Sequence, residues 1–228
     1  VAAISAGADF SLFLMADASV RSCGYNSAGQ LGNGTLINQS TPQQILTGVS
    51  AISAGAGHSL FLKTDRTVWA AGYNAEGTIG DGTRVDKPSP VQVLSGVTAI
   101  SAGGLHSVFL KTDGTVWATG WNYSSQLGDG TQTGRTTPAP MFFESRMKEV
   151  SAGGGHSLFL KGNGSVWATG DNQYGQLGDG TTTSRTTPVQ VFTGVKTVSA
   201  GRFHSLFVKA DGSAWAVGAN AYGPLGNG

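Results

Sequence analysis

A single cysteine, Cys23, leaves this chain of 228 residues without an internal disulfide, so no cystine framework defines its fold. Charge is nearly as scarce. Asp, Glu, Lys and Arg together make up 12 % of the residues, and the formal net charge is +1. No basic tail, run or helix is present, which argues against the electrostatic footprint of a nucleic-acid-binding protein. No apolar stretch approaches the roughly 20 residues of a membrane-spanning helix. Helical patterning is missing too: no segment keeps apolar residues at i, i+3 and i+4 over roughly ten positions. Glycine and β-branched residues stand where helical repeats would need good helix formers.

What the chain has is glycine, 36 residues of it, placed at fixed columns rather than scattered. The triplet Ser-Ala-Gly opens at Ser5, Ser53, Ser101, Ser151 and Ser199, at spacings of 48, 48, 50 and 48. A fixed period of this size marks a repeat architecture. The units run over residues 1–48, 49–96, 97–146, 147–194 and 195–228, the last incomplete, and form one array rather than separate domains. The two extra residues fall in the segment Met141 to Glu149.

Each unit holds four segments of strand character; in the fourth they are Glu149–Gly153, His156–Lys161, Ser165–Gly170 and Thr187–Phe192. Asn163-Gly164, like Asp113-Gly114 and Asp211-Gly212, predicts a two-residue type I′ hairpin between the second and third. Those two segments are apolar on both faces, as in strands covered from both sides. The fourth segment begins at Pro42, Pro90, Pro138 or Pro188. Proline donates nothing to a ladder, which places that segment at a sheet edge. Four-stranded antiparallel sheets repeated at this period and buried by their neighbours are the blades of an all-β propeller.

The run SAGxxHSxFLKxDGxVWAxGxNxxGQLGDGTxxxRxTPxxV, recurring in register over the whole chain, resembles the repeat of the regulator of chromosome condensation family. The resemblance implies a propeller, usually of seven blades, and leaves function open. The family includes a nucleotide exchange factor for a small GTPase, ubiquitin ligase subunits and a secreted bacterial inhibitor of β-lactamases. Because the last unit lacks its proline segment, the chain is expected to be an arc of a larger ring, or to associate with other copies. A ring of five blades is the alternative.

Four histidines, His58, His106, His156 and His204, recur once per unit. Convergence on the axis would make them metal ligands. Phe10 in the same column favours a structural role, so neither a metal nor a cofactor is expected. Trp69, Trp117, Trp167 and Trp215 are expected in the packing between blades. Asp81, Asp129 and Asp179 precede glycine and read as turn formers. His-Ser adjacency along a strand is no catalytic pair, since neighbours point to opposite faces. The first unit is the degenerate one, with Phe10 for His, Arg21 for Trp and Asp17-Ala18 at the hairpin.

Two loop sets vary while the scaffold holds: the pair after Ser-Ala-Gly and the Gly-x-Asn-x-x-Gly turn. They carry Trp121, Tyr123, Tyr174, Arg202, Phe203 and Tyr222, the candidate binding residues. Tyr25 and Tyr73 precede the turn asparagine, as Trp121 does, and so read as packing over blade ends. The expectation is a non-enzymatic scaffold that binds a protein through its loops. A carbohydrate-binding propeller is the alternative. A GTPase exchange factor ranks third, because no insertion exceeds two residues. Low Lys and Glu with abundant Ser, Thr, Asn and Gly resembles secreted or cell-surface bacterial proteins.

Overall fold

The computed structural model describes residues 1–142 and 146–227. The first blade comprises β1 (Ala3–Ala6), β2 (Phe10–Leu14), β3 (Val20–Gly24) and β4 (Gln39–Leu46). The second has β5 (Val49–Ala54), β6 (His58–Lys63), β7 (Val68–Gly72) and β8 (Lys87–Leu94). The third has β9 (Val97–Ala102), β10 (His106–Lys111), β11 (Val116–Gly120) and β12 (Arg135–Pro140). In the fourth are β13 (Met147–Ala152), β14 (His156–Lys161), β15 (Val166–Gly170) and β16 (Arg185–Phe192). The fifth has β17 (Val195–Ala200), β18 (His204–Lys209) and β19 (Ala214–Gly218). Each sheet is an antiparallel meander in chain order, and no described strand joins the first sheet to the fifth. Part of the link into the fourth blade, residues 143–145, lies outside the described residues.

The apolar second strand dictates how blades stack. Phe61, Phe109, Phe159 and Phe207 are fully buried, each inserted into the apolar face of the preceding blade. Phe109, for instance, packs with Leu60, Leu62, Val68 and Ile79 of the second blade. Burial of one such ring contributes about 2–3 kcal/mol. The tryptophans sit farther out: Trp69, Trp117 and Trp167 are half-buried against these clusters, and Trp215 is 49 % exposed. A lysine covers each ring, from Lys161 at 4.3 Å over Trp167 to Lys63 at 4.9 Å over Trp69.

Polar seams join the blades near the axis. The Ser5 hydroxyl accepts the Ala54 N–H at 2.9 Å, and Ser53, Ser101 and Ser151 accept from Ala102, Ala152 and Ala200 at the same distance. His58 Nε2 lies 3.0 Å from Ser107 Oγ, and His106 and His156 reach Ser157 and Ser205 at 2.9 Å. These three serines donate to the carbonyls of Thr78, Gln126 and Gln176. Their free role is therefore acceptor, which fixes Nε2 as the protonated nitrogen. Burial pushes the histidines down to about 3 for His58 and His106 and about 4 for His156, so all three are neutral. The Ser-Ala-Gly glycine is required here. A Cβ on Gly103 would stand 2.4 Å from the His106 ring and 2.6 Å from the Gly153 carbonyl oxygen.

Two local expectations are corrected. The hairpins are three-residue loops rather than type I′ turns. Gly164 N–H returns to the Lys161 carbonyl at 3.0 Å, and of the Asn163-Gly164 pair only Gly164 has positive φ, at 81°. That is a type I turn followed by a left-handed residue. The side chain at the preceding position explains the choice, since Asn163 Oδ1 accepts both the N–H and the hydroxyl of Ser165. Second, the proline strands begin earlier than expected, at Gln39, Lys87, Arg135 and Arg185, with the proline inside the strand. They are outermost, and the ladder there is already broken by register shifts, so a missing N–H is tolerated.

Candidate functional site

The meander sends two kinds of connection to opposite ends. The loop after each first strand and the long loop after each third strand share one end, here the loop end. Hairpins and blade-to-blade links occupy the other, the hairpin end.

A buried asparagine builds each long loop. Asn74 Nδ2 donates to Asp81 Oδ1 at 3.0 Å and to the carbonyls of Thr83 and Val85 at 3.1 Å, while its Oδ1 accepts the Ile79 N–H. Asn122 and Asn172 repeat the pattern, and all three side chains are fully buried. Sequence reading missed this role, although every unit has an asparagine seven residues before the loop Asp81, Asp129 or Asp179, or before Asn33 and Asn227 in the first and fifth units. The aspartates hold the turn as expected of turn formers, and each also pairs with a cation: Asp81 with Lys87 at 2.7 Å, Asp129 with Arg135, and Asp179 with Arg185. Burial alone would raise these carboxyls. Lys87, Thr83 and Asn74 outweigh it and hold Asp81 at about 2, and Thr181, Arg185 and Asn172 do the same for Asp179.

On this braced frame lies a funnel of about 720 Å³ at the loop end. Its floor is the Ser-Ala-Gly loops of all five blades, nothing larger than alanine: Ala6 and Gly7, Ala54 and Gly55, through to Ala200 and Gly201. Its wall comes from the third to fifth blades and includes Trp121, Ser124, Asp171, Gln173, Arg202 and Phe203. Of the candidate binding residues, Trp121, Arg202 and Phe203 line the funnel, and Tyr123 and Tyr174 each pack on one of them. Trp121 and Tyr123 stack with centroids 6.1 Å apart and planes at 17°. Tyr174 meets Phe203 edge-on at 5.6 Å, and the Arg202 guanidinium lies 4.9 Å over the Phe203 ring. Tyr222 is fully exposed and does not line the funnel. Asp171, which no sequence argument singled out, is 9 % exposed and lines it.

Apolar exposure is unequal between the ends. At the loop end Tyr25, Leu36 and Ile37 of the first blade, Val85 of the second and Tyr123 of the third are exposed, with Tyr174, Phe203 and Tyr222 completing the arc. Among the described residues the hairpin end shows Val1, Phe142 and Trp215, and Ile4 and Leu206 are exposed on strands of the first and fifth blades. No group of three or more described His, Cys, Asp or Glu side chains is arranged to hold a metal.

The profile of the RCC1-like domain matches residues 1–228. The chain belongs to the RCC1-like domain family. Among solved structures it is similar to Prp20p from Saccharomyces cerevisiae, whose binding to Gsp1p and histones is described with its structure. That match has a TM-score of 0.90 and 22 % identity over 100 % of this chain and 60 % of that one. The yeast RCC1 (Prp20) structure bound to Kap60 matches with a TM-score of 0.86 and 22 % identity, covering 96 % of this chain and 56 % of the other. Human WBSCR16 gives 0.84 and 22 %, covering 94 % and 61 %. The RCC1-like chain thus spans about three-fifths of the length of these structures. At this identity the likeness is one of fold. A comparison with curated protein sequences gives no match.

Proposed function

We propose that this RCC1-like chain is a non-enzymatic scaffold that binds a partner protein through its loop end. The observation that carries this reading is the placing of Trp121, Arg202 and Phe203 on the wall of one funnel, with Tyr123 stacked on Trp121 and Tyr174 edge-on to Phe203. Loops on a rigid frame are where binding is built, and Trp, Tyr and Arg are the favoured anchors of protein interfaces. Protein binding by Prp20, seen with Kap60, points the same way.

The seam chemistry supports a role without catalysis. The three seam histidines and their serine partners are buried between blades and none of them lines the funnel, so a substrate there would not meet them. A sugar-binding function would need similar aromatic platforms from blade to blade. The column Tyr25, Tyr73 and Trp121 instead breaks at Asp171 and Ala219. The test is a titration of the partner against the folded double variant Trp121→Ala/Tyr123→Ala. Affinity should fall by about 2 kcal/mol or more. Unchanged affinity removes these residues from the interface, and selective binding on a glycan array would replace the protein reading with the sugar one.

A further inference from the structure

Asp171 is the residue in the funnel whose chemistry is unfinished. It is 9 % exposed, and one carboxylate oxygen, Oδ1, accepts the Gln173 N–H at 3.2 Å. The other oxygen has no donor and no cation within reach among the described residues, yet the residue lines a cavity of about 720 Å³. Burying a carboxylate is costly unless it is paired. The contrast with its neighbours is direct: Asp81, Asp129 and Asp179 each have a lysine or arginine partner. Arg202, on the same funnel wall, does not serve. It lies over Phe203 and makes no ion pair among the described residues. Arg202 is exposed to water on all but its ring side, whereas Asp171 is largely buried and keeps one oxygen without a protein partner among the described residues.

Asp171 is also out of place in its column. The same position holds Tyr25, Tyr73, Trp121 and Ala219, so the blade frame does not demand an acid. Space has been left around it. Gly155 lies between Asp171 and Ser124, and a Cβ there would stand 3.4 Å from the Asp171 Cβ. Among the described residues of the loop end, three carboxylates, Asp9, Asp86 and Asp171, and one cation, Arg202, are without an ion pair.

Resting on the loop-end reading above, we infer that the funnel takes a lysine or arginine side chain from the partner protein, with its cation on the free oxygen of Asp171. The stem of such a side chain is apolar and packs along rings, and its charged head is attracted to their faces. Trp121 and Phe203 supply those rings in the funnel wall. The alanine–glycine floor sets nothing in the way.

Selection from a displayed library of random linear peptides on the full RCC1-like chain tests this, with the enriched peptides then titrated against variants. Peptides carrying Arg or Lys at one fixed position are expected. Their affinity should fall at least tenfold with Asp171→Asn and with Asp171→Tyr, the latter a residue the column already accepts. Asp171→Lys should select an acidic residue at the same position. Peptides that need Trp121 and Tyr123 but ignore Asp171, or lack a basic residue, overturn this inference and leave the loop-end reading standing. Peptides indifferent to Asp171 and to both rings, or no enrichment at all, overturn both.

Discussion

The seams between blades and the loop end obey opposite rules. At the seams one residue type does one task in blade after blade: serine to the alanine N–H, histidine to serine, glycine against the ring. At the loop end equivalent positions diverge along the array: Tyr25 and Tyr73 give way to Trp121, Asp171 and Ala219. Repetition is what stacking requires, because each blade meets a sibling. Divergence is what an asymmetric partner requires. The first seam is a natural variant of the rule: Phe10 fills the histidine site, is 4 % exposed, and needs no metal or proton to do so.

Breaking the seam at its tightest point should have the largest effect. In Gly103→Ala the new methyl meets backbone of the next blade as well as the His106 ring, so no side-chain movement alone relieves it. A loss of about 4 kcal/mol or more, or failure to fold, is expected by chemical denaturation. The same variant at Gly162, where nothing lies within 4 Å of a Cβ, should be nearly neutral.

Next comes the seam hydrogen bond. His106→Ala leaves Ser157 without its donor and opens a cavity, at a cost of about 1–3 kcal/mol. His106→Phe copies the first blade and should cost less, because the ring fills the space that alanine leaves, as the buried Phe10 does in its own blade. An equal loss in both would show that the hydrogen bond, rather than the ring, carries the seam.

Acid sharpens the same contrast. Burial holds His58, His106 and His156 far below the ordinary value of 6.5 in the folded chain, so below pH 6.5 the unfolded chain binds protons at these three first. Stability is therefore full above that pH and is lost as pH falls toward 4 and 3, at up to about 1.4 kcal/mol per pH unit for each histidine. His106→Phe removes one share of that slope. Asp81 and Asp179 act later: their contribution is present above the unfolded value and is lost between about pH 3.8 and 2. A melting series from pH 7 to pH 2 separates the two windows, and a slope unaltered in His106→Phe would place the titration elsewhere.

The smallest effect concerns hairpins that miss the glycine. Ala18 and Arg66 take up the left-handed conformation at φ 63° and 67° where Gly114 and Gly164 sit in later blades. Arg66→Gly should stabilise by about 1 kcal/mol, less the backbone freedom glycine regains on unfolding. A lower midpoint in denaturant would mean that the arginine side chain earns its place.

Much of this was legible in the residues. The period, the strand order, the doubly buried second strand and the outermost proline strand follow from SAG, HSxFLK and the TP columns, because repetition multiplies a weak local signal. The turn type was misread because Asn163 signals positive φ by statistics, whereas its side chain is spent on Ser165. Histidine pairing across blades could not be read, since its partner lies 49 residues away and only stacking brings it close. Asp171 was invisible for a related reason. An acid before asparagine looks like any loop acid until burial and the lack of a cation are known.

The central claim is that the partner meets the loop end and the hairpin end stays free. A photo-reactive amino acid placed at Tyr123 in one protein and at Gly162 in another compares the two ends directly. Both positions are exposed, so neither insertion disturbs the blades. Cross-linking to one protein partner from position 123, and none from 162, is the predicted result. Cross-linking of that partner from 162 alone would contradict the account.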